Sequence, residues 1–500
     1  MKAREPDSVL AIDVGTSGVK AAIVDGTGRV SALHRILYPT QATPGGGFTQ
    51  EPEDWWVSLL KCARETLQGA DAKAVRGLIL SSQIGTHLLV TQDGAPLTPA
   101  VTWQDGRSMR DQLAIEREYS RQRIASLVGI NLPSAASWPL ARLRWFEREY
   151  PVAYRQARYL FQPKEFLLYR LTGCVVGDSS SWRGLVNPVS GSAINVLEGL
   201  GIADLTVPIK QPTEVVGELR RDVADLLGVT QELQVFVGWN DLNSSLLGSG
   251  AIAAGQAFDL GGTSEHVGVV LGESPGNGFQ AADDEQVVMN GPYGMNDGLP
   301  RGVRYGVSSN SGSVVEWCRA IAGTQNIEAV AVQAPPGSNG LIFLPYMVGE
   351  RAPVWDPEAR GAVVGLTLQS GLPDLLRAAL EGVAFNLRQI MGLVGRDLID
   401  SQSPVLTTGG PARMELWNQI KADVFGRPLS VPQQPEAGIL GAAMVAAVGL
   451  GWHESLPEAA RAMSADVSPV EPDPGRSARY SELYDQYVRL YPAIRSVAPE

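Results

Sequence analysis

The chain has 500 residues, too many for one hydrophobic core, so two or more domains are expected. Apolar residues make up 44% and charged residues 19%, and 41 Lys plus Arg against 53 Asp plus Glu leave a net charge of −12, the profile of a globular chain in water. No Lys/Arg-rich run stands out, which argues against nucleic acid as a partner; any anionic ligand must then be met by positive charge or a metal gathered locally. Three cysteines, Cys62, Cys174 and Cys318, are odd in number and far apart. That argues against a disulfide framework and for a reducing cytoplasm, with each Cys read as a small buried residue. The four histidines, His34, His87, His266 and His453, lack metal-ligand spacing. Residues 1–8 lack the apolar core of a signal peptide. The longest apolar stretch, 438–452, is too short for a bilayer and reads as a buried helix, so no membrane partner is expected.

In chain order, 9–12, 19–24 and 29–36 read as strands, with Asp25-Gly26 and Thr27-Gly28 as turn signals. A helix is predicted from Trp55 to Leu67, with Asp54 as its N-cap and Trp55, Leu59, Leu60 and Ala63 on its buried face. Strands at 75–81 and 88–91 flank Ser82-Gln83-Ile84-Gly85-Thr86. Helices follow at 108–127, 140–149 and 165–171, the last closed by Gly173. A short buried strand at 235–237 runs into Gly238-Trp239-Asn240-Asp241 and a helix at 242–247, with a domain boundary near 245–255. The 272–302 stretch reads as an exposed, glycine-rich excursion. Helices at 313–321 and 372–397, a strand at 405–407, a Gly409-Gly410 turn and a helix at 414–425 complete the second half. Both halves run strands first, then alternating helix and strand, which indicates an α/β fold.

Two turns are versions of one another. Asp13-Val14-Gly15-Thr16-Ser17 and Asp259-Leu260-Gly261-Gly262-Thr263-Ser264 each end an apolar run and precede another strand. Their glycines let backbone approach an anion, and successive N–H groups, hydroxyls and an Asp-held cation suit phosphate. One copy is also ordinary turn chemistry. Two copies half a chain apart suggest a duplicated nucleotide-binding architecture, with the phosphates between the halves.

At Ser137-Trp138-Pro139-Leu140-Ala141-Arg142-Leu143-Arg144-Trp145-Phe146-Glu147-Arg148-Glu149 and from Gly361-Ala362-Val363-Val364-Gly365-Leu366 through Asp374-Leu375 to Ala378-Ala379-Leu380-Glu381, the chain resembles the FGGY family of carbohydrate kinases. Only Arg142, where the family has Lys, departs from those two patterns. The resemblance covers nearly the whole chain. It implies two ribonuclease-H-like domains of the actin/hexokinase superfamily, 1–248 and 249–460, with an interdomain cleft. It also implies a C-terminal helical segment, 461–500, packing back on the first domain. The cosubstrate implied is ATP with Mg2+.

Read through that resemblance, Asp241 is the base that takes the proton of a sugar hydroxyl; the plainer reading is that Asn240-Asp241 caps the helix that follows. Asp13 is the Mg2+ ligand. Thr16 and Ser17 approach the γ-phosphate, Gly262, Thr263 and Ser264 take its other side, and Gly312 flanks the nucleotide. Relatives commonly carry Gly where this chain has Glu265, and that carboxylate should point away from a triphosphate. Thr408-Gly409-Gly410-Pro411-Ala412-Arg413 resembles the family's adenosine stretch, and Asn418 matches a position facing the adenine. Trp103, Asp105 and Arg107 keep the family's Trp-x-Asp-x-Arg sugar arrangement, with Asn240 beside the base. Gln83-Ile84-Gly85 departs from the Gln-Met-His of xylulokinases, and His87 either compensates or sits on a strand. Gly349-Glu350-Arg351-Ala352-Pro353 resembles a loop common to xylulokinases and gluconokinases and reads as structural support.

The leading expectation is ATP-dependent phosphorylation of a pentulose such as D-xylulose. Gluconate comes second, an erythritol-type polyol third, and glycerol is disfavoured by Ile84-Gly85. An actin-like ATPase without sugar transfer and a relative that has lost catalysis remain as other classes. The partner expected is a small sugar or polyol; a homodimer is compatible with the resemblance, and no interface is legible.

Overall fold

The computed structural model describes residues 7–68, 71–120, 123–124, 134–187, 204–272, 287–294, 298–300, 302–434, 436–464 and 466–495. Much of the expected 272–302 excursion, and part of the helix expected to Leu127, lie outside them; that helix is described over Met109–Glu118.

Two mixed sheets share one plan. The first contains β1 (Ser8–Val14), β2 (Gly18–Asp25), β3 (Val30–Leu37), β4 (Val75–Ser82), β5 (Val215–Glu218) and β6 (Gln234–Asn240), ordered β5-β6-β4-β1-β2-β3. The second contains β7 (Ala257–Gly261), β8 (Glu265–Leu271), β9 (Met289–Pro292), β10 (Gly302–Ser308), β11 (Val405–Gly409), β12 (Leu429–Pro432) and β13 (Val467–Val470), ordered β9-β10-β8-β7-β11-β12-β13. In each, an antiparallel meander of three strands comes first. Its first strand then pairs in parallel with a later one, β1 with β4 and β7 with β11. The two Asp-x-Gly turns therefore occupy equivalent hairpins, between β1 and β2 and between β7 and β8.

Side-chain alternation in β1 feeds two cores. Leu10, Ile12 and Val14 face a core shared with α1 (Pro52–Leu67), while Val9 and Ala11 face the other half. Pro52 occupies the first turn of α1, where its missing N–H costs nothing. The helix therefore starts ahead of Asp54, and no side chain caps it.

The core between the sheets is built on α2 (Asp241–Gly248) and, after α3 (Gly312–Ala322), α4 (Leu372–Gly395) and α5 (Glu415–Phe425), on α6 (Ala437–Gly449). A Cβ on Gly441 would overlap Ser244 O, and one on Gly248 would overlap Ala437 O, so α2 and α6 touch backbone to backbone. Segment 437–463, not the C-terminus, returns to the first half: a Cβ on Gly28 would overlap Met463 O, and His453 Nε2 lies 2.9 Å from Gly26 O.

The expected docking of the C-terminal helix on the first domain is overturned. Helix α7 (Pro474–Tyr487) packs on the second half, burying Tyr480, Leu483 and Tyr487 in its core. Tyr480 Oη donates to Glu381 Oε1 at 2.7 Å and accepts from Arg377 Nη2 at 3.0 Å. The 3–4 spacing of those three residues makes one apolar stripe, and it fits the surface of α4. Cys62 and Cys318 are buried as expected, whereas Cys174 is exposed. No helix among the described residues is long and apolar enough to cross a membrane.

Gly441→Ala should cost about 2 kcal/mol by forcing α2 and α6 apart. Its thermal unfolding midpoint should fall below that of the parent; an unchanged midpoint would contradict the backbone contact.

Candidate active site

β1, β4 and β6 end side by side, and their ends carry Asp13, Ser82-Gln83 and Asn240-Asp241. Asn240 caps α2, accepting from Asn243 N at 2.9 Å. Asp241 is then the first helical residue and needs no cap role of its own, although its Oδ1 accepts Leu242 N at 2.8 Å. Its carboxylate lines the cleft but is enclosed on most sides. Burial, with the negative charge of Asp13 beside it, raises its pKa to about 7. These two effects outweigh the positive end of α2, worth about 0.3–1 kcal/mol.

A buried network sets the backbone before Asp241. Trp239 Nε1 and Asn240 Nδ2 both donate to Ser180 Oγ, at 2.7 and 3.0 Å. Ser180 Oγ donates to Asp178 Oδ1 at 2.6 Å, and Lys164 Nζ neutralises Asp178 at 3.0 Å. Gln162 extends this network to the neighbouring loop: it accepts Gly85 N at 2.9 Å and donates to Ser181 O at 2.9 Å.

Asp13 differs. Its Oδ1 is buried with no hydrogen-bond partner, and burial raises its pKa against the opposing pull of Lys20. Oδ2 faces the start of α6, where a Cβ on Gly438 would lie 3.7 Å away. A carboxylate oxygen left free fits a hard cation such as Mg2+. No cluster of three or more ligating side chains exists among the described residues, so such an ion would take its remaining ligands from water or a bound ligand.

Gln83 is buried and organises the first turn. Its Oε1 accepts from Thr16 Oγ1 at 3.2 Å and Thr86 Oγ1 at 3.3 Å, and its Nε2 donates to Gln50 Oε1 at 3.2 Å. Thr16 Oγ1 also accepts Trp103 Nε1 at 2.9 Å, tying the indole to the turn. Ser17 is exposed, with Oγ 3.2 Å from Arg35 Nη2. Gly85 has φ of 80° and packs on Trp103 and Ser137; Ile84 beside it is partly open.

Asp105 lies beneath this site. It is fully buried and accepts Phe48 N at 2.9 Å, Arg107 N at 3.0 Å and Arg107 Nη2 at 2.6 Å. Arg142 closes the loop from below, donating to Thr102 O at 2.7 Å and Asp105 O at 2.8 Å. With its oxygens so engaged, Asp105 has none to offer a sugar hydroxyl. Arg107 turns over Trp145, 4.8 Å from the ring centre. His87 is buried on a bridge to Val101, and burial drives its imidazole down to about 3, so it is a neutral core residue.

The second turn has a built-in cation. Lys421 Nζ meets Asp259 Oδ2 at 2.8 Å and also pairs with Glu265, which accepts from Ser311 Oγ. Burial and Glu265 together push the Asp259 carboxyl upward. Glu265 therefore faces inward, away from the loop surface. Gly312 N donates to Gly262 O at 3.1 Å and Ser313 N to Thr263 O at 3.3 Å, so α3 starts against the turn; Ser264 lies at its end, before β8. Gly409 has φ of 88°, and a Cβ there would overlap Gly261 O. Pro411 is buried against Gly261 and Gly410 is open to solvent. Asn418 is buried and holds this loop through Nδ2 to Ala412 O at 2.8 Å. An ion chain, Lys20 to Glu436 at 2.6 Å and Glu436 to Arg413 at 2.9 Å, joins the two halves.

The models of the FGGY family of carbohydrate kinases match residues 8–248 (N-terminal domain) and 260–450 (C-terminal domain). The chain belongs to this family. It is 28% identical to the xylulose kinase of Bacillus subtilis (strain 168), over 97% of this chain and 96% of that one. Among solved structures it resembles the gluconate kinase from Lactobacillus acidophilus, with a TM-score of 0.85 and 26% identity over 98% of this chain and 99% of that one. The ligand-bound xylulose kinase from Lactobacillus acidophilus has a TM-score of 0.84, again with 26% identity over 98% and 99%. The two-domain α/β architecture and the carbohydrate kinase activity follow from membership of this family.

Sequence reasoning missed several residues of this kinase. Gln50, Gln162, Lys164 and Asp178 are buried polar residues from separate loops and helices, without a shared motif. Lys421 carried one signal, its placement three residues after Asn418 on the same apolar helix. Arg351 lies in a recognised loop that reads as structural support, and Arg183, which reaches Tyr305 of the second half, carried no signal.

Lys421→Met should destabilise the kinase by about 3–5 kcal/mol, because two buried carboxylates lose their only ammonium. Denaturant unfolding would read the loss; parental stability would contradict the triad.

Proposed function

We propose that this kinase transfers the γ-phosphoryl group of ATP to a hydroxyl of an open-chain sugar, with Asp241 as general base. The carrying observation is the Asp241 carboxylate, enclosed with a pKa lifted to about 7 and separated from Asp13 by the one strand β4. In this reading Asp241 takes the hydroxyl proton as the sugar oxygen bonds to the γ-phosphorus. The bond from that phosphorus to the β-phosphate oxygen breaks, and ADP leaves. Asp13 holds Mg2+, whose charge, when the ion is bound, offsets that of the phosphates. Thr16 and Ser17 meet the γ-phosphate from the first half, and Gly262, Thr263 and Ser264 meet it from the second. Gly312, Gly409, Gly410 and Pro411 offer backbone to the nucleotide, with Asn418 shaping the adenosine loop. Trp103, Ile84, Gly85 and Asn240 form the acceptor wall, while Gln83, Asp105 and Arg107 hold that wall in place. The halves 1–248 and 249–460 close on the substrates and exclude water. Free cysteines suit a reducing cytoplasm.

The first reading of the acceptor is a pentulose such as D-xylulose, supported by relatives named xylulose kinase. The second reading is gluconate, favoured by the gluconate kinase likeness at a TM-score of 0.85.

Asp241→Ala should keep its fold and lose about 10²–10⁴ in kcat. For the parent, kcat/KM for the acceptor should fall as pH drops through about 7 or below, because a protonated Asp241 takes no proton. ADP release on adding D-xylulose, gluconate or polyols with ATP and Mg2+ reads both. Near-parental turnover by the variant, or no stimulation by any acceptor, would sink the proposal.

A further inference from the structure

Two arginines cross the cleft in opposite directions. Arg183 belongs to the first half, in the loop that carries Ser180. Its Nη1 donates to Tyr305 Oη on β10 at 3.0 Å, and its Cζ lies 5.5 Å from the Trp138 ring centre. Arg351 belongs to the second half. Its Nε donates to Ser309 Oγ at 3.1 Å, and its Cζ lies 5.2 Å from the ring centre of Trp103. They share neighbours. Tyr305 bonds Arg183 and acts on the charge of Arg351, and its ring lies 5.8 Å from that of His266. Burial, with Arg351 and Arg183 alongside, holds the His266 imidazole down at about 3, so it adds no charge. Arg183 also acts on Asp241.

Neither guanidinium has a carboxylate within ion-pair distance among the described residues, although Glu350 acts on Arg351 and Arg183 on Asp241. Arg183 Nε and Arg351 Nη2 are buried without any hydrogen-bond acceptor. Leaving buried charged donors unmet is costly, and two neighbouring cations repel one another. A chain with a net charge of −12 has carboxylates to spare. Two guanidiniums without an ion pair, each with a buried donor unmet, are therefore an arrangement for an anion brought from outside, and planar guanidiniums match a carboxylate's two oxygens. Arg351 leans on Trp103, which packs on Gly85, and Arg183 leans on Trp138, the residue after Ser137, which also packs on Gly85, so the anion sits at the acceptor wall.

We infer that Arg183 and Arg351 together bind a carboxylate of the acceptor, which makes this kinase selective for sugar acids over neutral ketoses. The inference rests on the kinase reading above and chooses between its two acceptors. Arg351 lies in a loop common to xylulokinases and gluconokinases, so it does not discriminate alone; the pair does. The other anion that the cleft receives is the transferring phosphoryl group, and it makes a different prediction.

The test compares kcat/KM for D-gluconate and D-xylulose, with ATP and Mg2+, in the full-length parent and in Arg183→Gln, Arg351→Gln and Arg183→Lys. The parent should favour gluconate. Each Gln variant should lower the gluconate-to-xylulose ratio by about tenfold or more, and Arg183→Lys by less, since it keeps the charge. A parent that favours xylulose would overturn the inference and leave the kinase proposal standing. Equal losses on both acceptors would overturn it in favour of phosphoryl stabilisation or a structural role. Should neither acceptor be phosphorylated, the kinase proposal and this inference fall together.

Discussion

The contact of α2 with α6 is what the rest of the cleft depends on. With glycine at 441 and 248, the two helices meet at their backbones, and each starts beside Asp13. One begins with Asp241 and the other follows Glu436, which reaches Lys20 on β2. Shape, not charge, thus brings acidic groups from both halves to one place. Burial first, and then the charge of Asp13, are the physical origin of the raised Asp241 pKa.

The duplicated turns solve the same electrostatic problem in two ways. Asp259 is buried with Lys421 on its Oδ2, so the second turn carries its own ammonium even though its Oδ1 is unpartnered. Asp13 has an unpartnered Oδ1 and no ammonium within ion-pair distance, so the first turn is left open to a cation. A duplicated architecture need not have duplicated chemistry. One copy holds a buried ammonium of its own and the other does not, as expected where a site is held ready at the expense of local stability.

Much of the fold was legible because its signals are local. Alternating apolar strands, turn glycines and the two family patterns placed the β1–β2 hairpin, α1, β4, α2 and α4 within a few residues of their observed ends. The miss at Asp54 came from Pro52, whose fixed φ lets a helix begin earlier than a capping side chain implies. The wrong docking of the C-terminal helix had a different cause. The stripe of Tyr480, Leu483 and Tyr487 says that one face is buried, but not against which half. Trp103 was readable as an aromatic wall, yet the inward turn of Asp105 depends on Phe48 and Arg142, from two other segments.

By itself the sequence determined the α/β class, the duplicated turns and the family, and it singled out Asp13 and Asp241 as candidates. These follow from short-range patterns, in which the chemistry and its backbone setting are neighbours in the chain. Only the tertiary structure decided which carboxylates stay free and which are neutralised, because Lys421 reaches Asp259 across 162 positions. It also decided which cations reach across the halves, since Arg183 meets Tyr305 and Arg351 meets Trp103 only when the two sheets face each other. Charge acts through space, and no spacing along a chain states what a fold will bring within a few ångströms.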